Sequence, residues 1–122
     1  MAACKRSGCY GALMFLDLDN FKLLDDTHGH EVGDMLLIEV ADRLKSCVRD
    51  MDTVARFGGD EFVVMISELN VDKSKSATQA GVIAGKIRAA LARPYVFKMQ
   101  HGEKAETTFE HRCTASIGVT LW

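Results

Sequence analysis

The chain has 122 residues, 48% of them hydrophobic and 26% charged, with a net charge of −2. This is enough for one soluble domain with a buried core, and basic residues outnumber acids over no long run, so a groove for a nucleic-acid polymer is not expected. No apolar run approaches a membrane span, and Met1 to Gly11 has basic residues but not the hydrophobic stretch of a signal peptide, which points to the cytoplasm without direct membrane insertion.

In chain order, a strand is expected at about Gly11 to Leu18, then a helix opening near Asn20 and a break at His28-Gly29. A longer helix follows from His30, where Val32, Met35, Leu36, Ile38, Val40, Leu44 and Val48 recur with helical spacing as one apolar stripe that stops near Arg49. Thr53 to Phe57 and Glu61 to Ser67 read as the arms of a hairpin joined at Gly58-Gly59-Asp60, and Leu69 to Thr78 is polar enough for a loop. A helix over Ala77 to Ala92, ended by Pro94, precedes two strands, Tyr95 to Met99 and Phe109 to Leu121, that enclose a turn with Gly102. The order β-α-α-β-β-α-β-β describes an α+β fold of ferredoxin-like type, an antiparallel-rich sheet with helices packed on it. There is no repeat, low-complexity tract or linker.

Two stretches carry candidate chemistry. In Arg56-Phe57-Gly58-Gly59-Asp60-Glu61-Phe62, the glycines let a turn approach a ligand closely, and the carboxylates after them suit a hard divalent cation. A tight hairpin ending in Gly-Gly-Asp needs no ligand to exist, so the turn alone is weak evidence. Upstream, Phe15-Leu16-Asp17-Leu18-Asp19-Asn20-Phe21-Lys22 runs an apolar strand into alternating acids, with Asp17 and Asp19 on one face and Leu16 and Leu18 on the other. Acids so placed repel unless a cation or hydrogen-bond donors lie between them, and oxygen ligands select magnesium or manganese. Asp19-Asn20 also reads as a helix N-cap, Lys22 as a solvated charge, and His28 and His30 as capping or turn residues. Cys4, Cys9, Cys47 and Cys113 lack the spacing of a zinc or redox motif and read as reduced, with Cys47 in a helix and Cys113 in a strand as small buried hydrophobes.

Taken together, these residues resemble the GGDEF domain of diguanylate cyclases. Gly58-Gly59-Asp60-Glu61-Phe62 matches the signature, Asp17 to Lys22 the metal-and-triphosphate loop, Gly29-His30 to Gly33-Asp34 the guanine-side segment, and Ser116-Ile117-Gly118-Val119 the late core strand. The resemblance runs from about Tyr10 to the last residue and implies a palm-like fold, in which the first strand lies beside the hairpin and brings Asp17 and Asp60 together. It implies condensation of two GTP into cyclic di-GMP and pyrophosphate by attack of a ribose 3′-hydroxyl on an α-phosphate, with two Mg2+ or Mn2+ ions. It assigns Asp17, the Leu18 carbonyl and Asp60 to the metals, with Glu61 as base or further ligand. Phe21, Lys22, Gly58 and Gly59 would serve the nucleotide, the backbone at Phe21 and Lys22 receiving the triphosphate.

The family's usual Asn-Asp pair is Asp25-Asp26 here, so Asp25 offers the guanine a carboxylate where an amide is usual, while Asp34 can still accept from it. Weaker or altered base selection is expected. Arg49 and Asp52 form an R-x-x-D in the register of the family's inhibitory product site. The resemblance further implies a transient homodimer, GTP and cyclic di-GMP as ligands, and fused sensory or EAL domains in a parent protein. As a single GGDEF domain over 1–122, the chain lacks the family's N-terminal loop and C-terminal basic segment, so weak nucleotide binding and little turnover are expected of it alone. The alternative is a GGDEF-like module that has lost catalysis and senses GTP or cyclic di-GMP for an attached effector.

Overall fold

A computed structural model of the chain describes residues 8–19, 21, 30–99 and 107–122. Strand β1 spans Ala12–Leu18 and shows the alternation expected of a half-covered strand, with Ala12, Met14, Leu16 and Leu18 buried and Phe15 and Asp17 exposed. After it come helix α1 (His30–Cys47), the hairpin strands β2 (Thr53–Gly58) and β3 (Glu61–Ile66), and helix α2 (Lys73–Ala92). Strands β4 (Tyr95–Met99), β5 (Thr107–His111) and β6 (Ala115–Leu121) complete the order.

The main sheet runs β2-β3-β1-β6, all antiparallel, so β1 is central and its end is flanked by two segments distant in sequence. Within this sheet, Asp17 stands opposite Glu61 on one side and Ser116 on the other. Helices α1 and α2 pack on each other and on the sheet, and Leu36, Val40, Leu44, Ile87 and Leu91 join Met14, Leu16, Phe62 and Val64 in one core. With strands β4 and β5 set apart as a two-stranded ribbon, the chain has the expected ferredoxin-like arrangement.

The structure revises three sequence expectations. Ile38 is 65% exposed and leaves the stripe, which Leu37 joins instead. Helix α2 begins at Lys73 rather than near Ala77, because Asp72 caps it, its carboxylate accepting from the Lys75 amide at 3.0 Å. The expected single strand from Phe109 to Leu121 is two: β5 pairs with β4, and β6 joins the main sheet after a break at 112–114. Cys113 lies in that break and is buried, so its burial was read correctly and its strand was not. The helix expected near Asn20 lies outside the described residues apart from Phe21, which is helical and packs against the core.

Arg43 fastens the two helices and the ribbon. Its guanidinium donates to the carbonyls of Ala90 at 2.9 Å, Arg93 at 2.8 Å and Pro94 at 2.8 Å, and lies 3.7 Å over the Tyr95 ring. It thereby supplies donors to a helix C-terminus whose last carbonyls have no partner within the helix. The buried Tyr95 hydroxyl donates in turn to the Leu91 carbonyl at 2.8 Å.

Candidate active site

The turn between β2 and β3 places Asp60. Gly59 has φ +48°, a left-handed conformation that favours glycine, whereas Gly58 has no such requirement and open space around it. A register shift between Arg56 and Gly58 sharpens the turn, and Arg56 Nε donates to the Gly59 carbonyl at 3.0 Å. The Leu18 amide then donates to the Asp60 carbonyl at 3.2 Å, which draws the tip of the hairpin onto the end of β1.

The carboxyls of Asp17 and Asp60 come within hydrogen-bonding reach of each other. Desolvation and then the neighbouring Asp60 charge, with Glu61 and Asp19 beyond it, hold the Asp17 carboxyl above its ordinary range. Asp19 faces a different environment. Its carboxylate accepts from the Thr114 hydroxyl at 2.6 Å and the Ser116 hydroxyl at 3.1 Å, and its amide donates to the Thr114 carbonyl at 2.9 Å. Of the two remedies open to paired acids, Asp19 therefore takes donors, while Asp17 is left facing another acid. Sequence reading missed this role of Thr114 and Ser116, although the hydroxyl pattern of Thr114-Ala115-Ser116 beside an acid-rich strand end was its one signal.

Among the described residues, no three His, Cys, Asp or Glu side chains are arranged to enclose an ion. The donor set suits magnesium, which usually takes one or two protein carboxylates and completes its octahedron with water and substrate phosphates. The Leu18 carbonyl fits the same set. In a trans peptide C=O and N–H point in opposite directions, so with the Asp19 N–H directed at the Thr114 carbonyl just before β6, the Leu18 C=O faces the hairpin and Asp60.

Other expected site residues lie elsewhere. Glu61 is exposed beside the pair, and Asp34 is exposed on α1. Lys22 and Asp25 lie outside the described residues, as do Asn20, Asp26 and His28. A cleft of about 210 Å³ lined by Phe15, Asp17, Phe57, Glu61 and Val63 borders the acids, with Phe57 75% exposed at the turn.

Arg49 and Asp52 stand at the other end of the hairpin, about 20 Å of strand from Gly58. Asp52 accepts from the Arg49 amide at 2.9 Å, from Arg49 Nε at 3.2 Å and Nη2 at 3.2 Å, and from the Ser67 amide at 3.1 Å. The Arg49 guanidinium also donates to the Ser67 carbonyl. Burial pushes the Asp52 carboxyl up, but these donors outweigh it and hold the group below its ordinary range. Its side chain is 2% exposed against 49% for Arg49, so Asp52 orients the arginine while the guanidinium keeps a solvent face. That face borders a cleft of about 380 Å³ lined also by Lys45, Val48 and Thr53.

Residues 1–122 match the family described as "Diguanylate cyclase, GGDEF domain", and the chain belongs to that family. It is 40% identical over 111 residues to the bifunctional diguanylate cyclase/cyclic di-GMP phosphodiesterase MucR of Pseudomonas aeruginosa, covering 91% of this chain and 14% of that protein. It is 37% identical over 119 residues to the cyclic di-GMP phosphodiesterase NbdA of the same organism, covering 98% of this chain and 13% of that protein. Among solved structures, a sensory box/GGDEF family protein from Caulobacter crescentus superposes with a TM-score of 0.80 at 36% identity, over 99% of this chain and 69% of that one. The chain thus spans about one seventh of the length of each of these two curated relatives. No described helix is long and apolar enough to cross a membrane.

Proposed function

We propose that this GGDEF domain is the catalytic half-site of a diguanylate cyclase, acting on GTP in the cytoplasm and completed by a second copy that carries the other nucleotide. The meeting of the Asp17 and Asp60 carboxyls beside Glu61, at a turn held to β1 through Leu18, carries this reading. In the reaction a ribose 3′-oxygen bonds to an α-phosphorus, the bridging bond to the β-phosphate breaks, and pyrophosphate leaves with that electron pair. Asp17, Asp60 and the Leu18 carbonyl would hold magnesium or manganese, which when bound lowers the pKa of the attacking hydroxyl and offsets charge on the phosphate oxygens. Glu61, exposed next to the pair, takes the hydroxyl proton or completes the ligand set. Gly58 and Gly59 leave room for the nucleotide over the turn, and Phe21 with Lys22 belongs to the segment that receives the triphosphate.

Arg49, with Lys45 across the same cleft, offers cationic donors to the phosphates of the cyclic product, with Asp52 fixing the guanidinium. The test is cyclic di-GMP formation by the full-length protein with GTP and magnesium. Asp60→Ala is expected to lower the rate by at least about a hundredfold, and an Asp60→Ala protein as fast as wild type would refute the assignment. A relative named only as a phosphodiesterase favours a second reading, a regulatory GGDEF module that binds GTP without condensing it. Tight GTP binding with no product from the wild-type protein would select that reading.

A further inference from the structure

We infer that Thr114 and Ser116, through Asp19, are positioning residues for the cation seat: they fix the peptide plane that aims the Leu18 carbonyl at the hairpin. This rests on the reading that Asp17 and the Leu18 carbonyl hold the cation.

The last two amides at the end of β1 are held from opposite sides. The Leu18 N–H donates to the Asp60 carbonyl at 3.2 Å, and the Asp19 N–H donates to the Thr114 carbonyl at 2.9 Å. Since the Leu18 carbonyl shares its rigid plane with the Asp19 N–H, any rotation that turns the carbonyl away from Asp60 must break the bond to the Thr114 carbonyl. The Asp19 side chain reinforces that bond, because each carboxylate oxygen accepts one hydroxyl, Oδ2 from Thr114 at 2.6 Å and Oδ1 from Ser116 at 3.1 Å. Three hydrogen bonds therefore join Asp19 to Thr114 and Ser116 where the chain enters β6, two of them to a charged acceptor and so stronger than neutral ones.

The same bonds keep Asp19 away from the cation. A carboxylate with both oxygens engaged by Thr114 and Ser116 leaves Asp17, two residues earlier in β1, to face Asp60. Ser116 stands directly across from Asp17 in the β1–β6 register, so its hydroxyl reaches Asp19 from the position flanking the acid on the side opposite Glu61. Outer groups that orient ligands in this way typically change metal affinity by about 10–100-fold when removed.

The experiment is Mn2+ binding by the full-length protein, read by electron paramagnetic resonance with a non-hydrolysable GTP analogue present. It is paired with thermal melting and with the magnesium dependence of product formation. Thr114→Val with Ser116→Ala removes both hydroxyls at nearly constant volume and is expected to weaken Mn2+ binding about tenfold. Thr114→Ser with Ser116→Thr keeps both hydroxyls and is expected to retain wild-type affinity, which a purely structural role for the side chains does not predict. Should the double removal fail to fold, Ser116→Ala alone, which keeps the shorter bond from Thr114, is expected to weaken binding by a smaller but measurable factor. Asp17→Ala serves as the control: if it binds Mn2+ like wild type, the cation seat itself is wrong and this inference falls with it. If Asp17→Ala loses Mn2+ while the folded variants lacking hydroxyls bind like wild type, the positioning role alone is overturned.

Discussion

Asp17 and Asp60, the pair proposed to hold a cation, cost stability where no cation lies between them. Two carboxyls within hydrogen-bonding reach repel when both are charged, and the raised Asp17 pKa records that repulsion with the effect of desolvation. Asp17→Asn is therefore expected to stabilise the metal-free protein in a urea titration. The gain should be only a few tenths of a kcal/mol, about the size of an exposed charge interaction screened by water. Magnesium should raise the melting temperature of the wild type and not of the variant. Asp52 has the opposite sign. Its lowered pKa gives stability that is present above the ordinary 3.8 and is lost as pH falls through the lowered value. Asp52→Asn is expected to cost about 1–3 kcal/mol at neutral pH, since a buried acceptor of charge-assisted bonds is weakened. In acid denaturation the gap between wild type and variant should narrow as pH drops below 3.8.

At the scale of elements, Arg43 is the joint between α1, the end of α2 and the start of β4. Arg43→Met keeps much of the aliphatic stem but leaves the Ala90, Arg93 and Pro94 carbonyls without this donor and removes the cation over Tyr95. A loss of about 2–4 kcal/mol is expected by chemical denaturation, with the catalytic constants of the folded fraction unchanged. Nothing in a sequence marks Arg43 for this task, because its partners are backbone carbonyls some fifty residues away whose identity no side chain reveals. The elements themselves were legible where period and punctuation agreed: the alternation of β1, the glycine pair between β2 and β3, and Pro94 after α2. They were misread where a local signal competed with a tertiary one. Asp72 looked like part of a polar loop but caps a helix, and the residues from Phe109 onward looked like one strand although a buried cysteine and the Asp19 contacts divide them.

For the molecule as a whole, the sheet order decides which sequence-distant residues meet. The sequence motifs named Asp17, Asp60 and Glu61, and the placement of β1 against β3 brings them to one sheet end. The same order sends Arg49 and Asp52 to the far end of the hairpin, so the residues proposed for product contact and those proposed for chemistry occupy separate ends of β2 and β3. Arg49→Ala in the full-length protein is expected to remove high-affinity cyclic di-GMP binding in calorimetry while GTP turnover at low product persists. Unchanged product affinity would refute the assignment. What the motifs could not convey is the role of Asp52, because an R-x-x-D is written identically whether its aspartate meets a ligand or, as here, its own arginine.

The contact between Asp19 and the Thr114 hydroxyl spans 95 positions of the chain. During translation the acid-bearing β1 and the glycine turn emerge from the ribosome well before β6 exists. An unfinished polypeptide consequently carries Asp17, Asp19 and Asp60 before the hydroxyls that hold the Asp19 carboxylate have been made.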